Sequence, residues 1–177
     1  MKTTRPFSKR ELNLAGLLAC AGLLGYAGYA QFYLHLDPCP LCILERLGVA
    51  GLGLVFLLAA VHDPGRTGAR IYAVLIAALA LVGAGIAARH VWIQHLPADR
   101  VPSCGPGLNY LLETFPLTKT LRVVLTGSGE CARVLWRFLG LSMPEWVLVW
   151  FVAFGVAGFA NNWRRNEDRG GVRDRGP

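Results

Sequence analysis

The sequence predicts an all-α membrane protein: a bundle of four transmembrane helices with one long loop that carries short interfacial helices. Of its 177 residues, 54% are hydrophobic and only 16% are charged, whereas soluble domains usually carry about 25% charged residues. Four apolar runs approach the roughly 20 residues that a helix needs to cross a bilayer. Such helices satisfy their own backbone hydrogen bonds, which lipid cannot do.

The predicted helices span residues 12–33, 42–61, 70–90 and 145–162, and they form a single domain over residues 1–163. The fourth run is the shortest, but no charged residue lies between Trp146 and Trp163. We expect the polar residues 164–177 to form a disordered tail. The first run is rich in small residues, which favour close helix packing in membranes: Ala15, Gly16, Ala19, Gly22, Gly25 and Gly28.

The distribution of charge predicts the orientation. Four helices place both termini and the 62–70 turn on one side, where eleven basic and five acidic residues give a net charge of +6. The opposite side nets +1. Basic residues favour the cytoplasmic side, so we expect cytoplasmic termini and outward-facing loops at residues 34–41 and 91–144. The net charge of +7 is thereby explained without a nucleic-acid partner, and the lipid bilayer is the expected partner instead.

A cleaved signal segment is the alternative for the first helix. Basic residues precede the apolar run, and LLAC at residues 17–20 resembles a lipoprotein processing site. However, apolar sequence continues to Tyr33, which gives the run transmembrane length. We therefore expect an uncleaved helix that contains Cys20 as a small buried residue.

The third connection, residues 91–144, is much longer than the 12–15 residues or so beyond which loops are usually functional or disordered. FPLTKTLRVVL at residues 115–125 is partly amphipathic, and SGECARVLWRFLGL at residues 128–141 predicts another short helix. The apolar residues of both segments could lie on the membrane surface.

Four of the five cysteines fall on the non-cytoplasmic side, where oxidants operate in bacteria: Cys39, Cys42, Cys104 and Cys131. Four cysteines allow three connectivities, and sequence distance favours a pair at 39 and 42 and a pair at 104 and 131. Zinc sites usually combine two tight Cys or His pairs. The second pair is 27 residues apart, and neither His35 nor His95 has a useful spacing from it, so no metal is expected.

The Cys39–Cys42 pair is the candidate for redox chemistry, because a disulfide that encloses two residues restricts the unfolded chain little. Pro40 suits the first turn of a helix, which places Cys42 at the positive end of the helix dipole. Arg46 lies one turn further along the same face and would stabilise a thiolate. Glu45 opposes this effect or pairs with Arg46. Interfacial snorkelling is the alternative role for Arg46.

A thiolate at the end of a membrane helix is within reach of a lipid-soluble quinone. A dithiol that becomes a disulfide releases two electrons, and a quinone accepts two. The sequence has no haem-attachment CxxCH and no Gly-rich dinucleotide motif, so haem and flavin are not expected.

Residues 9–163 resemble the DsbB family, bacterial inner-membrane quinone reductases that reoxidise the periplasmic thiol oxidase DsbA. The resemblance rests on PCPLCILERLG at residues 38–48, on Cys104 in the long loop, and on SGECARVLWRFLGLSMPEW at residues 128–146. CxxC alone would be weak, but its combination with the other two motifs is specific.

The resemblance implies a relay of two cysteine pairs between a periplasmic DsbA-type partner and ubiquinone or menaquinone. Cys104 would form the mixed disulfide with the partner, and Cys131 would then attack Cys39. This frees Cys42 to donate to the quinone. The family's quinone site has an arginine and a histidine, which correspond here to Arg46 and His90. Glu45 matches a family position with a structural role.

Two alternatives remain open at the level of sequence. One is a DsbB paralogue that serves a different thiol oxidase. The other is a membrane scaffold with two static disulfides, in which the Cys104–Cys131 bond would close the long loop and stabilise folding by about 3 kcal/mol.

Overall fold

The computed structural model describes residues 8–101 and 116–164 of the chain, so Cys104 and all of the predicted tail except Arg164 lie outside the described residues. Within them are five α-helices: α1 (Lys9–Phe32), α2 (Pro40–His62), α3 (Arg66–Gln94), α4 (Leu117–Thr126) and α5 (Met143–Arg164). The four long helices α1, α2, α3 and α5 can each cross a membrane by length and composition. The predicted all-α membrane bundle is confirmed.

Local capping sets where the first two helices begin. Helix α1 starts three residues earlier than predicted because Ser8 and Glu11 form a capping box. The Glu11 N–H donates to Ser8 Oγ at 3.2 Å, and the Ser8 N–H donates to the Glu11 carboxylate at 2.6 Å, which satisfies two otherwise free donors. Helix α2 starts at Pro40, with Cys39 as its N-cap.

The long helices form a closed ring in which α1 packs on α2, α2 on α3, α3 on α5, and α5 on α1. Consecutive helices run in opposite directions, so the starts of α2 and α5 meet the end of α3 at one end of the bundle. The core between the helices consists mainly of large apolar side chains: Val49, Leu52, Phe56, Ile76, Phe151 and Phe154.

Two glycines leave room for side chains of the facing helix between α3 and α5. A Cβ atom on Gly83 would lie 2.2 Å from the ring of Phe151, and one on Gly158 would lie 2.6 Å from Ile76 Cγ2. Any side chain at either position would force the two backbones apart.

The small residues of α1 pack less closely than the sequence predicts. A Cβ on Gly16 would lie 3.0 Å from the Phe56 ring, but one on Gly22, Gly25 or Gly28 would meet nothing within 4 Å. These three glycines therefore do not mediate close helix packing within the chain.

A cluster of three buried amides joins α1 to α5 at the end of the bundle that carries the chain termini. Asn162 donates to Asn13 Oδ1 at 3.2 Å, and Asn161 donates to the same oxygen at 3.3 Å. Asn162 also donates to the Gly158 carbonyl at 2.9 Å. We call Asn13, Asn161 and Asn162 the amide cluster.

The described part of the long loop contains α4, two single 3₁₀ turns (Ala98–Arg100 and Gly129–Ala132) and a small antiparallel hairpin of β1 (Arg137–Phe138) and β2 (Leu141–Ser142). The prediction of a helix over residues 128–141 is therefore wrong.

The hairpin has a physical cause. Leu139 and Gly140 both have positive φ, 51° and 84°, which is the backbone of a tight hairpin turn. The Phe138 carbonyl accepts a hydrogen bond from Trp146 Nε1 at 3.1 Å, which holds the hairpin against the start of α5.

Candidate functional site

Two thiols meet at the start of α2. The Cys39 side chain caps the helix by accepting a hydrogen bond from the Cys42 N–H at 3.4 Å. The two sulfurs are 3.0 Å apart, and both cysteines are free thiols in the structure. Because Pro40 occupies the first helical position, Cys42 lies in the first turn, where the helix dipole favours a negative charge.

Cys131 lies beside this pair although it is far away in the sequence. It sits on the 3₁₀ turn Gly129–Ala132, is only 1% exposed, and packs with Cys39, Leu41 and Ile93. The ligand atoms of Cys39, Cys131 and His90 all lie within 4.8 Å of one another. The predicted pair of Cys104 and Cys131 is called the outer pair. The structure therefore brings its second cysteine, Cys131, next to Cys39.

Two features hold the Cys131 turn against α3. Gly127 has φ 84°, and a Cβ there would lie 2.3 Å from Ile93 Cδ1, so only glycine allows this approach. Arg89 donates to the Thr126 carbonyl at 3.1 Å, which caps the end of α4. The loop is thus fastened to α3 immediately before the turn that carries Cys131.

His90 and Glu45 form a buried pair beneath the thiols. His90 Nδ1 lies 2.8 Å from Glu45 Oε1, with both side chains at most 5% exposed. The other ring nitrogen, Nε2, lies 3.7 Å from Cys39 Sγ. The sequence offered Arg46 as the partner of Glu45, but the structure pairs Glu45 with His90.

Arg46 instead bridges α2 to α1. Its guanidinium donates to the side-chain carbonyl of Gln31 and to the Ala27 carbonyl, the latter at 3.2 Å. These bonds hold the charged group on the wall of the cavity that Cys42 also lines. The sequence did not predict that Gln31 contacts Arg46, because a single glutamine near the end of an apolar helix belongs to no recognisable motif.

A cavity of about 670 Å³ opens at the thiols. Small-molecule pockets typically have volumes of about 300–1,000 Å³ and are largely apolar with a few convergent polar groups. Here Cys42, Arg46 and His90 supply polar atoms, and the remaining lining is mainly aliphatic and aromatic, including Tyr26, Trp136, Phe138, Trp146 and Trp150.

Among the described residues, the two cysteines outside the membrane-spanning helices, Cys39 and Cys131, have opposite acidities. The Cys39 thiol donates a hydrogen bond to the Cys131 sulfur, which lowers the pKa of Cys131 to about 5 despite its burial. The same hydrogen bond, with a second to Cys42 and with burial, raises the pKa of Cys39. The more acidic of these two thiols, that of Cys131, thus faces the sulfur of Cys39.

The predicted site residues Cys39, Cys42, Arg46, His90 and Cys131 thus gather at one end of the bundle, while Cys104 lies outside the described residues. The contact between Glu45 and His90 was not predicted. The position of Glu45 three residues after Cys42 on one helix face was the available signal, but nothing in the sequence linked Glu45 to His90.

The fold and the site define a class: a multi-pass helical membrane protein with clustered thiols beside a pocket. Comparison with known proteins identifies the family. A family model described as "Disulfide bond formation protein DsbB" matches residues 9–161. The chain belongs to the DsbB family and is an oxidoreductase of disulfide bond formation.

Curated relatives named "Disulfide bond formation protein B" match nearly the whole chain. The relative from Nitrosococcus oceani is 51% identical over 165 residues, which cover 93% of this chain and 96% of the relative. The relative from Methylococcus capsulatus is 52% identical, covering 88% and 95%. The relative from Chromobacterium violaceum is 56% identical, covering 81% and 87%.

Proposed function

We propose that the chain is a protein-dithiol:quinone oxidoreductase of the bacterial inner membrane. It would reoxidise a periplasmic DsbA-type thiol oxidase and pass two electrons to ubiquinone or menaquinone. Both termini would be cytoplasmic and the cysteine loops periplasmic, as the charge asymmetry favours. The observation that carries the proposal is the position of Cys39, whose sulfur lies beside both Cys42 and Cys131.

The relay begins with the partner's dithiol. Its thiolate attacks the Cys104–Cys131 disulfide at Cys104, and its second thiol then resolves the mixed disulfide. The partner leaves oxidised, and Cys104 and Cys131 remain as two thiols. Two electrons and two protons have moved from the partner to the outer pair. Cys104 is assigned here on family resemblance.

The second transfer uses the geometry at Cys39. The Cys131 thiolate attacks Cys39 of a Cys39–Cys42 disulfide, which forms a Cys39–Cys131 bond and releases Cys42 as a thiolate. Cys104 then attacks Cys131, restores the outer disulfide and frees Cys39. The outer pair is oxidised again, and the two electrons now reside on Cys39 and Cys42.

The cavity fits a quinone by volume, by its aromatic lining and by its polar groups. The quinone supplies the acceptor for two electrons and two protons. Cys42 would donate electrons from its place in the cavity wall, and Arg46 would stabilise the thiolate and orient the acceptor's oxygen. His90, in contact with Glu45, would hold or transfer a proton at Nε2.

The direction of transfer is favourable. DsbA has a reduction potential near −120 mV, so only a strong acceptor can regenerate it. A quinone that is more oxidising by about 100 mV would supply roughly 5 kcal/mol for a two-electron transfer.

The test is turnover by the purified protein in detergent with a reduced DsbA-type partner and a quinone. We expect oxidised partner and quinol in equal amounts, and loss of turnover in Cys42→Ala with an unchanged circular dichroism spectrum. Full turnover in Cys42→Ala would reject the relay. A protein that folds normally but never reduces quinone would instead support the static scaffold.

A further inference from the structure

The thiols and His90 have the spacing of a metal site. In a tetrahedral zinc site, Zn–S bonds of about 2.3 Å and Zn–N bonds of about 2.0–2.1 Å place neighbouring ligand atoms about 3.5–3.8 Å apart. Cys39 Sγ and His90 Nε2 are 3.7 Å apart, and the Cys131 sulfur lies within 4.8 Å of both. All three side chains are buried.

His90 is also oriented as a metal ligand. Its Nδ1 lies 2.8 Å from the buried Glu45 carboxylate, so an Nδ1–H would donate there and leave the lone pair of Nε2 directed at the sulfurs. Ligating histidines in proteins usually have this carboxylate partner, which fixes the tautomer and the ring orientation. The pair therefore presents a preformed nitrogen ligand to two thiols.

We propose that the reduced chain binds Zn²⁺, or a divalent cation of similar thiophilicity, through Cys39 Sγ, Cys131 Sγ and His90 Nε2. These three ligands leave the fourth position of a tetrahedral site to a water molecule. Binding displaces the remaining thiol protons into solution, and the two thiolates balance the charge of the cation in a buried setting. The ligands are far apart along the chain, so the spacing of cysteines and histidines in the sequence did not indicate this site.

The proposed site has a consequence for the redox chemistry. A sulfur that coordinates a cation has its lone pairs engaged, so neither Cys39 nor Cys131 could take part in disulfide exchange. Zinc would therefore hold the protein in its reduced form until a chelator removes it. Oxidation to either disulfide would in turn remove ligands and release the cation.

The test is a titration of tag-free, fully reduced protein in detergent with Co²⁺ under anaerobic conditions, without quinone or partner. We expect thiolate-to-cobalt charge-transfer absorption with the visible bands of a tetrahedral complex, both bleached by Zn²⁺. Cys39→Ser, Cys131→Ser and His90→Gln should each weaken binding by more than about 100-fold, and Glu45→Gln by about 10–100-fold.

Matched variants separate this site from other ligands. Cys20→Ser and Cys104→Ser should bind Co²⁺ as the wild type does, because neither residue belongs to the proposed ligand set. Loss of binding in Cys104→Ser would overturn the assignment, as would unchanged affinity in Cys39→Ser or Cys131→Ser.

A second measurement does not depend on how the variants fold. In the wild-type protein, Zn²⁺ should slow the alkylation of Cys39 and Cys131 by iodoacetamide, as resolved by peptide mass spectrometry, and leave that of Cys104 unchanged. Equal alkylation rates with and without Zn²⁺ would also reject the site. Since no quinone or partner is present, failure here leaves the proposed redox function untouched.

Discussion

The bundle buries a polar cluster at each end, and the two clusters differ in chemistry. At the end with the termini, the amide cluster links α1 to α5 through neutral side chains that bond to one another. At the other end, the thiol cluster, which comprises Cys39, Cys42, Glu45, His90 and Cys131, joins α2, α3 and the loop.

The difference shows how a buried polar group can serve stability in one place and reactivity in another. Amides have no charge to change, and once hydrogen-bonded they are inert. Thiols, an imidazole and a carboxylate can exchange protons or electrons, and all of these groups except Cys131 line an open cavity. We expect substitutions in the amide cluster to change stability and substitutions in the thiol cluster to change chemistry.

The largest expected effect is that of Cys39→Ser on turnover. Cys39 is the sulfur through which both disulfide exchanges pass, and loss of a reacting nucleophile typically lowers the rate by at least about 1,000-fold. Thermal unfolding in detergent should barely change. Cys20→Ala, in the apolar core, is the control and should keep its turnover. Appreciable activity in Cys39→Ser would contradict the assignment.

Asn162→Leu should lower stability and leave turnover unchanged, which is the opposite of the pattern expected for Cys39→Ser. The change removes hydrogen bonds to Asn13 and Gly158 and leaves a buried amide group unpaired, which costs about 1–3 kcal/mol. We expect a lower midpoint of thermal unfolding and unchanged turnover per folded molecule. A specific loss of turnover at full stability would show instead that the two ends of the bundle are coupled.

Arg46→Ala should affect the use of quinone. Hydrogen bonds to charged groups contribute about 1.5–3 kcal/mol, so we expect the KM for quinone to rise by about tenfold or more. Steady-state kinetics with varied quinone would measure the change. Arg70→Ala is the matched control, because Arg70 lies at the other end of the bundle over the Trp163 ring. Equal effects of the two variants would remove Arg46 from the quinone site.

A further expected effect concerns the acidity of Cys131. Its pKa of about 5 means that the thiolate is half formed at that pH and complete at neutral pH. Cys39→Ala removes the donating thiol, so the midpoint should rise toward the ordinary value of about 8.5. The thiolate absorbance that Cys131→Ser abolishes, followed against pH in a reduced Cys104→Ser background, measures it. An unmoved midpoint would assign the shift to another cause.

Most of the fold could be predicted from the sequence, but the details of the loop could not. The length of each apolar run identified the four long helices. A run that crosses lipid must satisfy its own backbone hydrogen bonds, and a helix does so within the run itself. The segment after Cys131 looked helical and is a hairpin instead. Its conformation depends on Gly140 and on a hydrogen bond from Trp146. The spacing of apolar residues along the sequence indicates neither.

The sequence by itself determined the membrane class, the grouping of the loop cysteines, and the place of Cys42 at a helix start behind Pro40. Each of these follows from neighbouring residues. Only the tertiary structure decided that Cys131 lies against Cys39 and that Glu45 pairs with His90, 45 positions away. Contacts over such distances depend on how helices and loop pack, and packing leaves no local pattern in a chain.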